Sequence, residues 1–146
     1  MMDAFGQLLL ALGRELGIEG LRADAQGCCR LVFDGQRMLE LRAAPAQGRV
    51  LLSCRLLCAP PTPEHALLLL GANAWGGGSA GGWFALDDAQ QPCLQHALVP
   101  AQGGAPELLR QIENMLNAAE RWEPRLSAPT SQPVTPAPMS PWMQKV

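Results

Sequence analysis

The feature that most constrains this chain is a leucine-rich segment that runs directly into a run of glycines, within residues 63–88. The four consecutive leucines at 67–70 cover more than the single stripe that a helix needs to pack on one partner. The glycines at 76–78 favour the left-handed and turn conformations that end a helix. A helix that is apolar on more than one side, in a chain too small for two cores, predicts a subunit interface.

Size and charge exclude several classes of protein. With 146 residues, of which 48% are apolar, the chain can build one domain with an ordinary core. Its net charge is −2, and the eleven Lys and Arg residues form no basic stripe, so no nucleic-acid partner is expected. No window approaches the ~18 uninterrupted apolar residues of a membrane span, and the N-terminus starts acidic rather than basic. We therefore expect a soluble, unexported protein with no membrane insertion.

The five cysteines predict free thiols rather than disulfides or a metal site. Their number is odd and no secretory signal precedes them, which fits a reducing compartment. A metal site would have to combine Cys54 and Cys58 with Cys93 and His96. Residues three apart on a strand point to opposite faces and cannot close on one ion. The sequence thus predicts no metal and no cofactor.

Three helices are predicted by spacing and by their caps. The first has apolar residues at intervals of three and four, a predicted cap at Asp3, and an end at Gly17 and Gly20. The second, central helix follows Thr62 as N-cap, with Pro63 at its first position. The third, at 107–122, is strongly amphipathic.

Strands are predicted in two groups. The first group consists of runs at 28–34, 37–43 and 49–57, joined by the turn at 34–36 and by the loop around Pro45 and Gly48. Such short connections favour an antiparallel meander. Runs at 83–88 and 92–99 form a second hairpin. Alternation assigns these residues of the first three strands to the core: Cys29, Leu31, Phe33, Leu39, Leu41, Val50, Leu52, Cys54 and Leu56. It turns these outward: Arg30, Glu40, Arg42, Ser53 and Arg55.

The last part of the chain changes in composition. Residues 124–146 contain six prolines among Ser, Thr, Ala and Gln, which predicts a flexible tail after a domain at 1–123. The apolar side chains within 138–143 have two interpretations, an unstructured remnant or a short docking motif for another protein.

The sequence resembles the class I type III secretion chaperones, small acidic dimers that escort effector proteins of Gram-negative bacteria. The matching segments are LLLALGRELGIEGL, CRLVFDGQRMLELR, LLLLGANAWGGGSAGGWFALDDAQQPCLQHALV and LLRQIENMLNAAERW, so the resemblance covers residues 2 to about 123. It implies an α+β fold, a twisted antiparallel β-sheet with three helices in the order α-βββ-α-ββ-α, assembled as a homodimer about the central helix.

The resemblance also implies the function and its residues. Such chaperones bind an N-proximal effector segment in extended form, in surface grooves and by adding a strand to a sheet edge, and they carry no catalysis. The resemblance implies a cytoplasmic location. It also suggests the secretion ATPase or export apparatus as a further partner to test. Matching positions assign the dimer contact to Leu67, Leu68, Leu70, Trp75 and Trp83. They assign the effector groove to Leu8, Leu12, Leu31, Phe33, Leu39 and Leu41.

Two other classes of function remain open from the residues alone. One is a non-enzymatic adaptor or regulatory subunit of similar layout that binds a folded partner. The other is a small enzyme that uses a cysteine, with Cys93 and His96 as the candidate pair. The chain has no tyrosine and only two histidines, and it offers no set of nucleophile, base and acid, so we expect no enzyme.

Overall fold

The computed structural model describes residues 3–44, 48–99 and 104–128, so the loop around Pro45 and the tail beyond Ala128 lie outside the described residues. The elements follow the predicted order α-βββ-α-ββ-α, which confirms the α+β fold. They are α1 Ala4–Leu16, β1 Cys28–Phe33, β2 Arg37–Ala44, β3 Arg49–Arg55, α2 Pro63–Asn73, β4 Trp83–Leu86, β5 Pro92–Leu98 and α3 Gly104–Ser127.

The five strands form one antiparallel sheet in the order β1-β2-β3-β5-β4. The predicted meander of the first three strands is confirmed, with Leu31 opposite Leu39 and Leu41 opposite Leu52. Asp34 and Gly35, at the first hairpin, both have positive φ angles of 55° and 75°. Two central residues with positive φ are typical of the tight turns whose twist matches that of the strands.

The predicted alternation is also confirmed. All but one of the nine side chains assigned to the core face are buried, and Phe33 is half-buried at the end of its strand. Helices α1 and α3 contact each other, and their apolar faces share one core with that face of the sheet. The helical side of the core consists mainly of Phe5, Leu8, Leu9, Leu12, Leu108, Ile112, Met115, Trp122 and Leu126.

The helix ends match their predicted caps. Asp3 accepts a hydrogen bond from the Gly6 N–H at 2.7 Å, and Gly17 ends α1 with a φ of 72°. Thr62 accepts a hydrogen bond from the His65 N–H at 3.2 Å, which satisfies one free donor of the first turn of α2. Local sequence alone therefore determines where these two helices begin.

Helix α3 is longer than predicted. It continues through Pro124 to Ser127, four residues beyond the predicted end of the domain. Leu126 is buried in the core, so its packing holds the last turn although Pro124 lacks an N–H donor. Trp122 also fixes this end: its ring packs edge-on to Phe84 at 5.1 Å between centroids. The boundary between domain and tail stays a prediction.

A buried ion pair joins the end of α3 to the sheet. Arg37 donates two hydrogen bonds to the Glu123 carboxylate, at 2.6 and 2.7 Å, and the Leu57 N–H donates a third. Burial acts to raise the pKa of Glu123, but the hydrogen bonds from Arg37 and Leu57 outweigh it, and the pKa is lowered. The carboxylate is therefore charged and paired at neutral pH.

Two strands end two residues earlier than predicted. Strand β3 ends at Arg55 rather than at residue 57, and β4 ends at Leu86 rather than at residue 88. Asp87 causes the second difference, because its side chain accepts hydrogen bonds from the N–H groups of Ala89 and Gln91, both at 2.9 Å. This local turn replaces further strand pairing.

Candidate partner-binding surfaces

The α2 patch, which we define as Leu67, Leu68, Leu70 and Trp75, is a continuous apolar surface on the central helix and its end. The three leucines are 46–68% exposed, and Trp75 is fully exposed. Only Leu69 and His65 of α2 are buried, so the helix uses one narrow stripe for its own subunit. A soluble protein that exposes so many neighbouring large apolar side chains presents a site for association.

Two further details of α2 favour a close partner. Gly71 lies exposed in the helix interior, with no atom within 4 Å of where a side chain would begin. A glycine there costs about 1 kcal/mol relative to alanine, yet it lets another backbone approach closely. Trp75 has a φ of 61°, which is strained for a bulky residue. The backbone thus holds an indole in full contact with solvent.

The fifth residue assigned to the dimer contact, Trp83, lies elsewhere. It precedes Phe84 on β4, and neighbouring strand residues point to opposite faces. Phe84 faces the core, so Trp83 faces the outer side of the sheet, where it is 39% exposed. The structure therefore groups four of the five residues along α2 and its end and places the fifth on the outer face of the sheet.

The two edges of the sheet differ in how accessible their backbone is. Strand β4 is shielded by Asn73, whose side chain bonds both the N–H and the C=O of Phe84, at 2.6 and 3.1 Å. At β1, Cys28 receives comparable cover from Asp24, but in the described part of the chain no strand pairs with the outer side of Arg30 to Phe33. Val32, in this part, is 62% exposed. Strand β1 is therefore the edge open to an added strand.

The outer face of the sheet carries a groove of about 330 Å³ that is lined by both polar and apolar side chains. Trp83 donates a hydrogen bond to Gln95 at 2.9 Å, and Gln95 donates one to Ser53 at 3.3 Å. Hydrogen bonds from the Cys28 thiol and from Arg42 lower the pKa of the Glu40 carboxyl. The charged groups that line the groove pair with one another, Arg42 with Glu40 and Arg55 with Asp87. The sequence predicted that Glu40, Arg42, Ser53 and Arg55 face outward, but it did not predict that they line a groove.

The six residues assigned to effector binding lie together, but mostly inside the subunit. Phe33 is half-buried, whereas the other five are buried in the core between α1 and the sheet: Leu8, Leu12, Leu31, Leu39 and Leu41. Apolar residues that line a groove and those that fill a core have the same spacing, so sequence alone could not separate them. Their assignment to the groove stays a prediction.

The candidate pair for cysteine chemistry does not meet. Cys93 lies on the outer face of β5, and His96 lies on the face that packs toward Gly81. Burial raises the pKa of the Cys93 thiol, and burial lowers the pKa of His96, whose Nδ1 has no partner among the described residues. The described ranges also contain no group of three or more His, Cys, Asp or Glu side chains placed to hold a metal ion. None of the helices in those ranges has the length and apolarity of a membrane crossing.

Several solved structures share this fold. The chain matches the ExsC–ExsE complex with a TM-score of 0.74 and 22% identity, over 87% of this chain and 95% of that one. It matches the HopA1–SchA chaperone–effector complex with a TM-score of 0.71 and 23% identity, over 85% and 99%. It also matches the Yersinia pestis type III secretion chaperone SycH, solved in complex with a stable fragment of YscM2. The TM-score is 0.67 and the identity is 17%, over 80% of this chain and 98% of that one.

Sequence comparison gives the family. No curated protein matches the chain, but the model of the Tir chaperone protein (CesT) family matches residues 7–123, which include every helix and strand except the first three residues of α1 and the end of α3. This match confirms the resemblance to class I type III secretion chaperones that the sequence segments indicated. The chain belongs to the Tir chaperone protein (CesT) family.

Proposed function

We propose that this chain is a homodimeric, non-enzymatic type III secretion chaperone of the bacterial cytoplasm. It binds an N-proximal segment of a secreted effector in extended form and so keeps that effector soluble and competent for secretion. The observation that carries the proposal is that one subunit presents two separate association surfaces, the α2 patch and the open edge at β1. The similar solved structures include a chaperone–effector complex, which supports an effector as the partner.

The α2 patch is the proposed dimer contact. A patch of this kind can pair with its own copy about a two-fold axis, because each side chain then meets its complement on the partner. The exposed Gly71 supports this arrangement, since it removes the side chain that would keep two α2 helices apart. We place Trp83 at the margin of this contact, because it faces the outer side of the sheet.

The edge of β1 is the proposed site for the effector segment. An extended peptide that adds a strand there gains backbone hydrogen bonds, and Val32 offers it an apolar contact. Phe33 is the one assigned groove residue that such a peptide reaches directly. The five buried ones shape the surface from beneath through the packing of α1 on the sheet.

Co-expression tests this function. The full chain is expressed with the N-proximal segment of each secreted protein encoded beside it, and complexes are purified and weighed. We expect two chains to hold one segment that is protease-sensitive when free. Val32→Lys should weaken capture at least tenfold, because a lysine on an edge strand opposes strand addition. The matched control is Ile18→Lys, which changes an exposed aliphatic residue outside both edges.

Two outcomes would contradict the proposal. Equal capture by the Val32→Lys and Ile18→Lys variants would place the client elsewhere than at β1. A captured partner that is folded in the complex would favour the adaptor function instead, because an adaptor binds a finished surface rather than an extended segment.

A further inference from the structure

One arginine lies directly at the open edge of the sheet. Arg30 stands in the middle of β1, on the outer face, and its side chain is 49% exposed. Val32 follows two positions later on the same face and is 62% exposed. Leu31, between them, points to the helices and is buried, because neighbouring residues of a strand alternate between faces. The edge thus presents a cation and an apolar side chain, side by side, to a segment that lies along it.

The backbone groups of Arg30 and Val32 point to the open side of β1. Two positions before Arg30, the Cys28 N–H donates to the Asp24 carboxylate at 3.0 Å, and the Cys28 C=O accepts from the Asp24 N–H at 2.8 Å. Cys28 therefore turns both groups away from β2. Alternate residues of an antiparallel pair turn their groups the same way, so Arg30 and Val32 do so too. A strand added here bonds to these two residues, and its side chains opposite them lie on the same face of the sheet.

The guanidinium of Arg30 is only loosely engaged by its own subunit. It lies 3.7 Å from the Asp24 carboxylate and 3.6 Å from that of Glu40, and both distances exceed the length of a hydrogen bond. Each carboxylate has closer donors, since Asp24 accepts two backbone N–H groups at 2.9 and 3.0 Å and Glu40 accepts from Arg42 at 2.9 Å. The planar fork of an arginine matches a carboxylate through two parallel hydrogen bonds. Arg30 can offer this fork to a carboxylate that arrives with the client.

We propose that Arg30 selects client segments that carry an Asp or Glu opposite it, two positions from a β-branched residue that packs on Val32. An apolar residue between these two suits the helix side of the sheet, where Phe33 is half-buried. The inference rests on the proposed addition of a strand at β1 and deepens it, because it names the chemistry of the segment. Backbone hydrogen bonds are the same for every sequence, so side chains at the edge have to supply the discrimination between clients.

Selection on the full chain from a library of short random peptides, displayed in many copies on phage, tests this preference. We expect the unaltered protein to enrich Asp or Glu two positions from Val or Ile. Arg30→Asp should enrich Lys or Arg at that place instead, and Arg30→Gln should enrich neither charge. The matched control is Arg49→Asp, which makes the same change of charge at an exposed residue of the central strand β3. This control should keep the acidic preference.

Fluorescence anisotropy with one enriched peptide measures the size of the effect. Replacement of the acidic residue of that peptide by Lys should weaken its binding to the unaltered chain about fivefold, and Arg30→Asp should restore the lost affinity. Circular dichroism checks that each variant is folded. If Arg30→Asp does not fold, the milder Arg30→Gln carries the test, and it should bind the acidic and the Lys peptide equally.

The outcomes separate this inference from the proposed function. Enriched peptides that lose binding to Val32→Lys but show no acidic preference would overturn the role of Arg30 and leave strand addition at β1 in place. An acidic preference that persists on Arg30→Gln would do the same. A library that yields no peptide sensitive to Val32→Lys would contradict strand addition at β1 itself, and the role of Arg30 would fall with it.

Discussion

The side chain of Asn73 takes the place of a neighbouring strand for Phe84. Its Oδ1 accepts a hydrogen bond from the Phe84 N–H at 2.6 Å, and its Nδ2 donates one to the Phe84 carbonyl at 3.1 Å. Because Asn73 is the last residue of α2, this contact ties the helix that carries the exposed leucines to the edge of the sheet. It also blocks that edge, which leaves β1 as the edge for a partner.

Asn73→Ala should lower the free energy of unfolding by about 2 kcal/mol, because it leaves two partly buried backbone groups of Phe84 without partners. Urea denaturation followed by circular dichroism, at fixed protein concentration, measures the change. The control is Asn117→Ala, an exposed position on α3, for which we expect less than about 0.5 kcal/mol. Equal effects of the two substitutions would show that the Asn73 contact contributes nothing.

Leu68→Glu should convert the dimer to a monomer. Leu68 is 46% exposed in one subunit, so the glutamate is tolerated there, but an unpaired charge in a dimer contact costs several kcal/mol. Sedimentation velocity separates the two states, and Trp75→Glu should behave in the same way. Val32→Glu, on β1, is the control and should remain dimeric. Dimers of both α2 variants would overturn the assignment of the α2 patch.

Glu123→Ala should lower the free energy of unfolding by about 3 kcal/mol at pH 7, because it leaves Arg37 buried without its partner. The folded pKa of Glu123 is lowered, so its stabilisation is present above the unfolded value of about 4.3 and is lost as pH falls through the folded value. The difference from the unaltered protein should therefore stay constant above about pH 5 and shrink as the pH falls below about 4.3. Glu120→Ala, which is exposed, should show no such trend.

The five thiols should react slowly in the folded protein. Burial raises the pKa of Cys54 to about 11 and also raises the pKa of Cys58 and Cys93. Iodoacetamide at pH 8, with mass spectrometry, should find Cys58 modified first, since it is only half-buried, and all five thiols modified in urea. Rapid alkylation of Cys93 in the folded state would revive the enzyme hypothesis. A Cys93→Ser variant that keeps the dimer mass and still captures the client would count against that hypothesis.

Sequence predicted the parts of the fold that depend on near neighbours. Caps such as Asp3 and Thr62 act within one helical turn, and alternation along a strand needs only that strand, so both were correct. The extension of α3 was missed, because the burial of Leu126 depends on core residues far away in the chain. The pair of Arg37 with Glu123 joins residues 86 positions apart, and no local pattern marks it.

The candidate surfaces were predictable only in part. Four leucines in a row indicated that α2 exposes apolar side chains, and the structure shows three of them exposed. The role of Asn73 was not predictable, because it depends on the packing of α2 beside β4. The assigned groove residues are mostly buried because an apolar residue on a strand or helix can serve the core as well as a surface, with the same periodicity.

The central claim is that this subunit associates with its own copy and with one extended client segment. Light scattering coupled to size exclusion, on the full chain alone and with co-expressed client segments, measures this directly. The account predicts a particle of twice the 15.6 kDa subunit mass that gains the mass of one client segment. A particle of 15.6 kDa at micromolar concentration that takes up no client segment would contradict it.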